Sequence, residues 1–488
     1  MRPALAILLL ALLVPTPAPA GPVVRMASGR AEGVALGNGV SVFYSLPYAA
    51  PPIGPLRFRA PRPARPWQGV RSAKAFGPSC TQNISARGWG PWTAEFSPQG
   101  AVSEDCLTLT VWVPPQRKGE RLPIMLWIPG GGLTDGGEAS EATNAAALAR
   151  RGIIVISINY RVAAFGLLAS PALPAEPDGT RGNQALRDAL AALVWTHDNA
   201  AAFGGDARRI TVAGQSAGGA LAYILLAHPK ARGLIAGAII ESFPPGSERL
   251  PDAAAMRAAS LAFGASPDAP AEAVLKASDD AGLNLFVDGV NIRDPGFAPI
   301  ADIAPVPILI GVTADEASWL KPDLASHRKS AETFGPDFLR LYPATTDAQA
   351  LDAALAADRD ANLVGLQRWR AARARAGGGK TFLYLWDHPL PGPQAPLYRA
   401  FHSSEVPYVF GSLDRIPGRP FTARDRAIAE RMMAIWAGFV KTGDPGLADW
   451  PRQGVMRLGE AFEPLPSVPA GKAALFEAFD ERTGQFTF

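Results

Sequence analysis

Cysteine is nearly absent from this 488-residue sequence: Cys80 and Cys106 are the only two, too few for a thiolate zinc site. No basic cluster stands out beyond Arg117-Lys118 and its neighbours, and 47 basic against 44 acidic side chains leave a formal net charge of +3. Phosphate recognition needs a concentrated basic face, so the composition argues against nucleic acid as a partner. Beyond residue 20 no stretch reaches the roughly 18 uninterrupted apolar residues of a membrane-spanning helix. Internal repeats and low-complexity linkers are missing as well. What the chain does have is apolar material: 48% of residues are hydrophobic and 19% charged, a balance suited to a large core and not to disorder. Glycine (49) and proline (47) are plentiful and spread along the chain, which indicates many ordered turns.

Residues 1–20 read as a separate object. Met1-Arg2 supplies a positive start, Ala4 to Val14 is an apolar run, and Ala18-Pro19-Ala20 is a small-x-small cleavage signal. The expected arrangement is a leader followed by a single domain over residues 21–488. The apolar run is too short to span a bilayer, and no cysteine follows the cleavage site to take a lipid, so no stable membrane anchor is expected. Export, to a periplasm or the medium, implies an oxidising compartment. There Cys80 and Cys106 fit one disulfide closing a loop, with two free buried thiols as the alternative.

Residues 33–48 alternate like a strand. Short apolar runs follow at Ile124–Ile128, Ile153–Ile158, Ile210–Ala213, Leu234–Ile240, Pro307–Val312 and Phe382–Trp386, separated by helical stretches such as Glu138–Arg151 and Gly182–Ala200. Buried strands alternating with helices imply an α/β fold: a mostly parallel central sheet with helices on both faces. The Ala- and Asp-rich regions 248–300 and 315–380 interrupt the strand series and are expected to form a helical cap over the carboxyl edge of the sheet, where such folds keep their sites.

The sharpest motif is Gly214-Gln215-Ser216-Ala217-Gly218, which follows a strand and opens an apolar helix. A serine on a strained strand-to-helix turn needs glycine neighbours, because bulkier residues collide with adjacent backbone. Ser216 is therefore the candidate nucleophile. Its partners should follow in the order acid, then histidine. Of five histidines, His197 precedes the serine and His228 follows it by only twelve residues, leaving His327, His388 and His402. His402 is favoured because a loop after the last strong strand can carry it over the sheet edge. The strand Pro307–Val312 empties into Thr313-Ala314-Asp315-Glu316, and either carboxylate could fix the imidazole tautomer. Backbone N–H groups for an oxyanion are expected from Ala217 and from the triglycine loop Gly130-Gly131-Gly132, which lacks the spacings of phosphate-binding loops.

At this point the sequence resembles the type-B carboxylesterase family, which includes the cholinesterases. The likeness rests on ordered blocks: Leu46 to Phe58, Ser103-Glu104-Asp105-Cys106-Leu107, Asn159-Tyr160-Arg161, Phe203-Gly204-Gly205-Asp206, the serine motif, Thr442-Gly443-Asp444-Pro445 and Trp450-Pro451. The resemblance implies an α/β-hydrolase fold, catalysis by Ser216, Glu316 and His402, and oxyanion donors at Gly131, Gly132 and Ala217. It also implies a disulfide between Cys80 and Cys106, structural ion pairs Arg57 with Glu104 and Arg161 with Asp188, and Trp89 and Trp92 as gorge walls. Two positions depart from the family pattern. Gln215 stands where the family has glutamate, which weakens any preference for cationic alcohols. Pro129 and Leu133 flank the triglycine in place of histidine or an aromatic and phenylalanine, which reshapes the acyl side. The implied reaction is cofactor-free and metal-free hydrolysis of a small carboxylic ester through an acyl-enzyme. Amidase, thioesterase, carbamate-hydrolase or acyltransferase chemistry on the same residues, or a non-catalytic binding protein, are the alternatives.

Overall fold

The strand Leu122–Ile128 reads Leu-Pro-Ile-Met-Leu-Trp-Ile, and all seven side chains are buried. An uninterrupted apolar run is what a strand covered on both faces requires. In the computed structural model, which describes residues 21–84, 88–246, 249–278 and 281–483, this strand lies near the centre of an eleven-stranded sheet. The sheet runs from Glu463–Leu465 through Val455–Leu458, Thr381–Trp386, Ile308–Thr313, Gly237–Glu241, Gly205–Gln215, Leu122–Ile128, Ile154–Ile158, Thr108–Val113 and Ser41–Pro47 to Val34–Ala35. The seven strands from Val455–Leu458 to Ile154–Ile158 are mutually parallel, and those at both ends pair antiparallel. Helices cover the two faces, among them Gln184–Asn199, Ala217–Ala227 and Ala423–Thr442. The expected leader, residues 1–20, lies outside the described residues. Among the described residues no helix is long and apolar enough to cross a membrane.

One expectation is corrected and one strand is added. The stretch 138–151 forms only a short turn at Glu141–Thr143 and a one-turn helix at Ala146–Ala149. Tertiary hydrogen bonds outweigh its helical propensity: Glu138 N donates to Asn159 Oδ1 at 2.9 Å, and Ser140 Oγ donates to Glu95 O at 2.7 Å. The strand Thr108–Val113 has no counterpart among the expected runs. It supplies the antiparallel step beside Ile154–Ile158, the switch from the parallel centre to the N-terminal edge.

The two interrupting regions contain the helices Ala253–Ala262, Ala271–Ser278, Leu324–Phe334 and Asp347–Arg375. Satellite clusters hold them: Phe263 and Val274 pack with Phe58, Phe165 and Leu168, while Phe338, Tyr342 and Val364 pack with Phe476. Cys80 and Cys106 form a disulfide with Cα atoms 4.9 Å apart. Arg57 grips Glu104 through two hydrogen bonds of 2.7 Å, and buried Arg161 does the same to Asp188.

Candidate active site

The strand Gly205–Gln215 ends one residue before Ser216, and the helix Ala217–Ala227 starts one residue after it. Reversing direction in so short a space puts Ser216 at φ 55° and ψ −126°, a conformation that side-chain-bearing residues rarely adopt. Its N–H donates to Glu241 O at 2.8 Å and pins the turn to the neighbouring strand. A Cβ on Gly214 would stand 2.4 Å from the Gly218 backbone, and one on Gly218 would stand 2.0 Å from Ile128 O. The glycines are therefore demanded by sterics.

The triglycine loop follows the adjacent strand. Gly131, at φ 121°, packs so tightly that a Cβ would meet Asp135 Oδ1 at 2.2 Å. Among the described residues no protein acceptor pairs with the N–H groups of Gly131, Gly132 or Ala217. All three residues line the same cavity of about 750 Å³ as Ser216. Unpaired N–H groups at a cavity wall, one of them at a helix start, form a ready anion cradle.

The segment Ala400–Ser404 lies against the turn that follows Ile308–Thr313. Asp315 N donates to Ala400 O at 3.1 Å, and Ala400 N donates back to Asp315 Oδ2 at 3.2 Å. The next residue, Glu316, meets His402: Oε2 lies 2.5 Å from Nδ1, while Oε1 accepts from Thr313 N at 2.7 Å. Asp315 thus clasps the loop and Glu316 faces the imidazole. Burial pushes the Glu316 carboxyl up, but the charge and hydrogen bond of His402, with the Thr313 N–H, outweigh it and hold it below its ordinary range. Burial likewise lowers His402, but the charge and hydrogen bond of Glu316, then Glu405 and Asp358, raise it overall.

His402 and Ser216 share the cavity, yet among the described residues no hydrogen bond joins them. His402 Nε2 instead lies 3.0 Å from the side-chain nitrogen of Gln215. The other histidines are occupied elsewhere. His388 is held between Glu460 and Asp425, His327 bonds Tyr342 O, His228 accepts from Lys230 N, and His197 pairs with its neighbour Asp198.

Trp89 and Trp92 both line the cavity, stacked with ring centroids 5.3 Å apart. Trp319, three residues after Glu316, joins them edge-on at 5.3 Å from Trp89, and Asp358 and Asn362 enter from the long helix Asp347–Arg375. Sequence reasoning did not single out these three residues. For Trp319 the signal was its closeness to Glu316, whereas the two helix residues carry none. Burial pushes Asp358 up to about 7. Among the described residues no group of three or more His, Cys, Asp or Glu is arranged to hold a metal ion.

The carboxylesterase family profile matches residues 20–262 and 343–455, well over half of the chain. The chain belongs to the carboxylesterase family. It is accordingly a carboxylic ester hydrolase with the α/β-hydrolase fold. This esterase is 34% identical over 472 residues to a fumonisin B1 esterase of Sphingopyxis macrogoltabida, covering 87% of this chain and 83% of that protein. It is 32% identical over 444 residues to para-nitrobenzyl esterase of Bacillus subtilis, covering 85% and 89%. A solved structure of a PNB esterase superposes with a TM-score of 0.75 at 27% identity, covering 93% of this chain and 99% of that one. Ser216 and His402 of the esterase fall within the two matched blocks, and Glu316 falls in the interval between them.

Proposed function

We propose that this esterase cleaves carboxylic esters in two acyl-transfer steps on Ser216, with His402 as general base and acid and Glu316 as the carboxylate that orients it. The observation that carries the reading is the 2.5 Å contact between His402 Nδ1 and Glu316 Oε2, opening onto the cavity that also holds the elbow serine. A carboxylate on Nδ1 keeps the proton on that nitrogen, so Nε2 is free to act as a base. In the first step the Ser216 hydroxyl attacks the ester carbonyl, its proton passes to His402 Nε2, and the oxyanion takes the N–H groups of Gly131, Gly132 and Ala217. His402 then protonates the departing alcohol. Water, deprotonated by the same nitrogen, releases the acid and restores the serine.

The cavity volume of about 750 Å³ suits a small organic ester, and the three tryptophans favour an apolar or aromatic portion. The chain acts in this reading as one domain exported to a periplasm or the medium, in keeping with the Cys80–Cys106 disulfide.

The test is hydrolysis of p-nitrophenyl esters from acetate to decanoate by the wild type and by Ser216→Ala. Loss of turnover by on the order of 10⁴ to 10⁶ in the variant supports the reading. Equal activity in both proteins, or none on any ester, overturns it.

A further inference from the structure

The residue before the elbow serine makes a contact that the acyl-transfer steps do not use. Gln215 is 5% exposed, and its side-chain nitrogen lies 3.0 Å from His402 Nε2. His402 Nδ1 faces a carboxylate, which only accepts, so in the neutral imidazole Nε2 carries a lone pair. The group that satisfies a lone pair is a donor, and the amide N–H of Gln215 supplies it. The amide oxygen points the other way, toward Gly130, where a Cβ would come within 2.7 Å of it. Glycine at 130 is what gives the amide room to lie in this orientation.

We propose that Gln215 is a positioning residue that docks the unprotonated imidazole of His402 in the resting enzyme and is displaced by the Ser216 hydroxyl when catalysis begins. The inference rests on the triad reading above. Nε2 has one lone pair, so Gln215 and Ser216 compete for it. On attack the Ser216 O–H bond breaks, its proton goes to Nε2, the Oγ–C bond forms, and the carbonyl electron pair moves onto oxygen. Nε2 is then an N–H donor facing another N–H donor, so the imidazolium gains nothing from returning to Gln215 and stays with the leaving group it must protonate.

The acidic groups around His402 explain why a neutral donor suits this position. Glu316 comes from the turn after Ile308–Thr313, Glu405 lies three residues further along the histidine's own segment, and Asp358 comes from the helix Asp347–Arg375. All three favour the protonated ring. A glutamate at 215 would add a fourth carboxyl group, accept from Nε2–H, and favour the imidazolium further. An amide that donates to the neutral ring works in the opposite direction.

The test is the pH dependence of kcat/KM for p-nitrophenyl butyrate in the wild type, Gln215→Glu and Gln215→Met, with melting temperatures to show that each is folded. Methionine keeps the length of the side chain and removes the donor. The acid limb of Gln215→Glu should move up by about one pH unit or more, equivalent to a tenfold change in the protonation equilibrium. That of Gln215→Met should move up by about half a unit, the loss of one modest hydrogen bond. A Gln215→Met limb lying on that of the wild type overturns the inference whatever the glutamate variant does, because any shift would then belong to the introduced charge alone. Ser216→Ala and His402→Ala are assayed beside them. If these lose hydrolysis while the limbs coincide, only the role of Gln215 falls; if they retain it, the triad reading falls and the inference with it.

Discussion

The indole N–H of Trp92 donates to the backbone carbonyl of His402 at 3.0 Å and to Ser403 Oγ at 3.2 Å. The loop closed by Cys80 and Cys106 is thereby fastened to the segment that carries the imidazole. Arg419 anchors the same loop through Glu95 Oε1 and Thr93 Oγ1, each at 2.6 Å.

Trp92→Phe keeps an aromatic ring and removes this donor. A neutral hydrogen bond contributes about 1 kcal/mol, so kcat should fall about fivefold, by more than KM rises. Steady-state kinetics on a neutral ester check it, and an unchanged kcat would show that the indole N–H does not hold His402.

Glu316 and Asp315 are adjacent and should behave differently. Glu316→Gln leaves the imidazole without its carboxylate and should lower kcat by about 10⁴ with little change in melting temperature. Asp315→Ala cuts the clasp to Ala400 N and should cost about 1–3 kcal/mol of stability, with a far smaller loss of kcat. Denaturant melts and kinetics on both variants separate the roles, and equal kinetic losses would contradict the assignment.

Leu133 follows the triglycine at φ 62°, is buried, and lines the cavity. Leu133→Phe should shrink the acyl side, so turnover of p-nitrophenyl decanoate falls about tenfold relative to acetate. A chain-length profile identical to that of the wild type would place the acyl group elsewhere.

Glu241 and Glu405 are fully buried, and among the described residues neither Glu405 oxygen nor Glu241 Oε2 has a hydrogen-bond partner. Burial, and for Glu405 the charge of Glu241 as well, push both carboxyls above their ordinary range. Above about pH 4.5 the unfolded chain gives up protons that the folded chain keeps, so these groups make stability fall as pH rises. Glu405→Gln should therefore gain stability relative to the wild type between pH 5 and 8, by at most about 1.4 kcal/mol per pH unit. Urea unfolding at a series of pH values measures the difference, and parallel curves would refute it.

Much of the fold was legible because its signals are local. The parallel strands show as apolar runs, and Gly214 answers to a clash with Gly218 four residues away, whereas Gly218 itself answers to Ile128 O at the end of the neighbouring strand. The helix expected at 138–151 failed because Glu138 and Ser140 are claimed by Asn159 and Glu95, partners that are distant in the chain. At the candidate site, residue chemistry narrowed the choice to two adjacent carboxylates and three histidines, and the family resemblance pointed to one of each.

Local apolar patterning and motif spacing determined the class of fold and the serine on its turn, since each is read from neighbours a few residues away, whereas the packing of Gly218 against Ile128 and of the triglycine loop beside the serine came from the sheet. Tertiary structure decided which carboxylate faces His402, that Trp92 braces that loop, and that Nε2 rests on Gln215, 187 residues away in sequence. Such contacts depend on how strand ends and loops are brought together across the sheet edge. A hydrogen bond made or lost by a shift of one ångström leaves no periodicity in the chain from which it could be read.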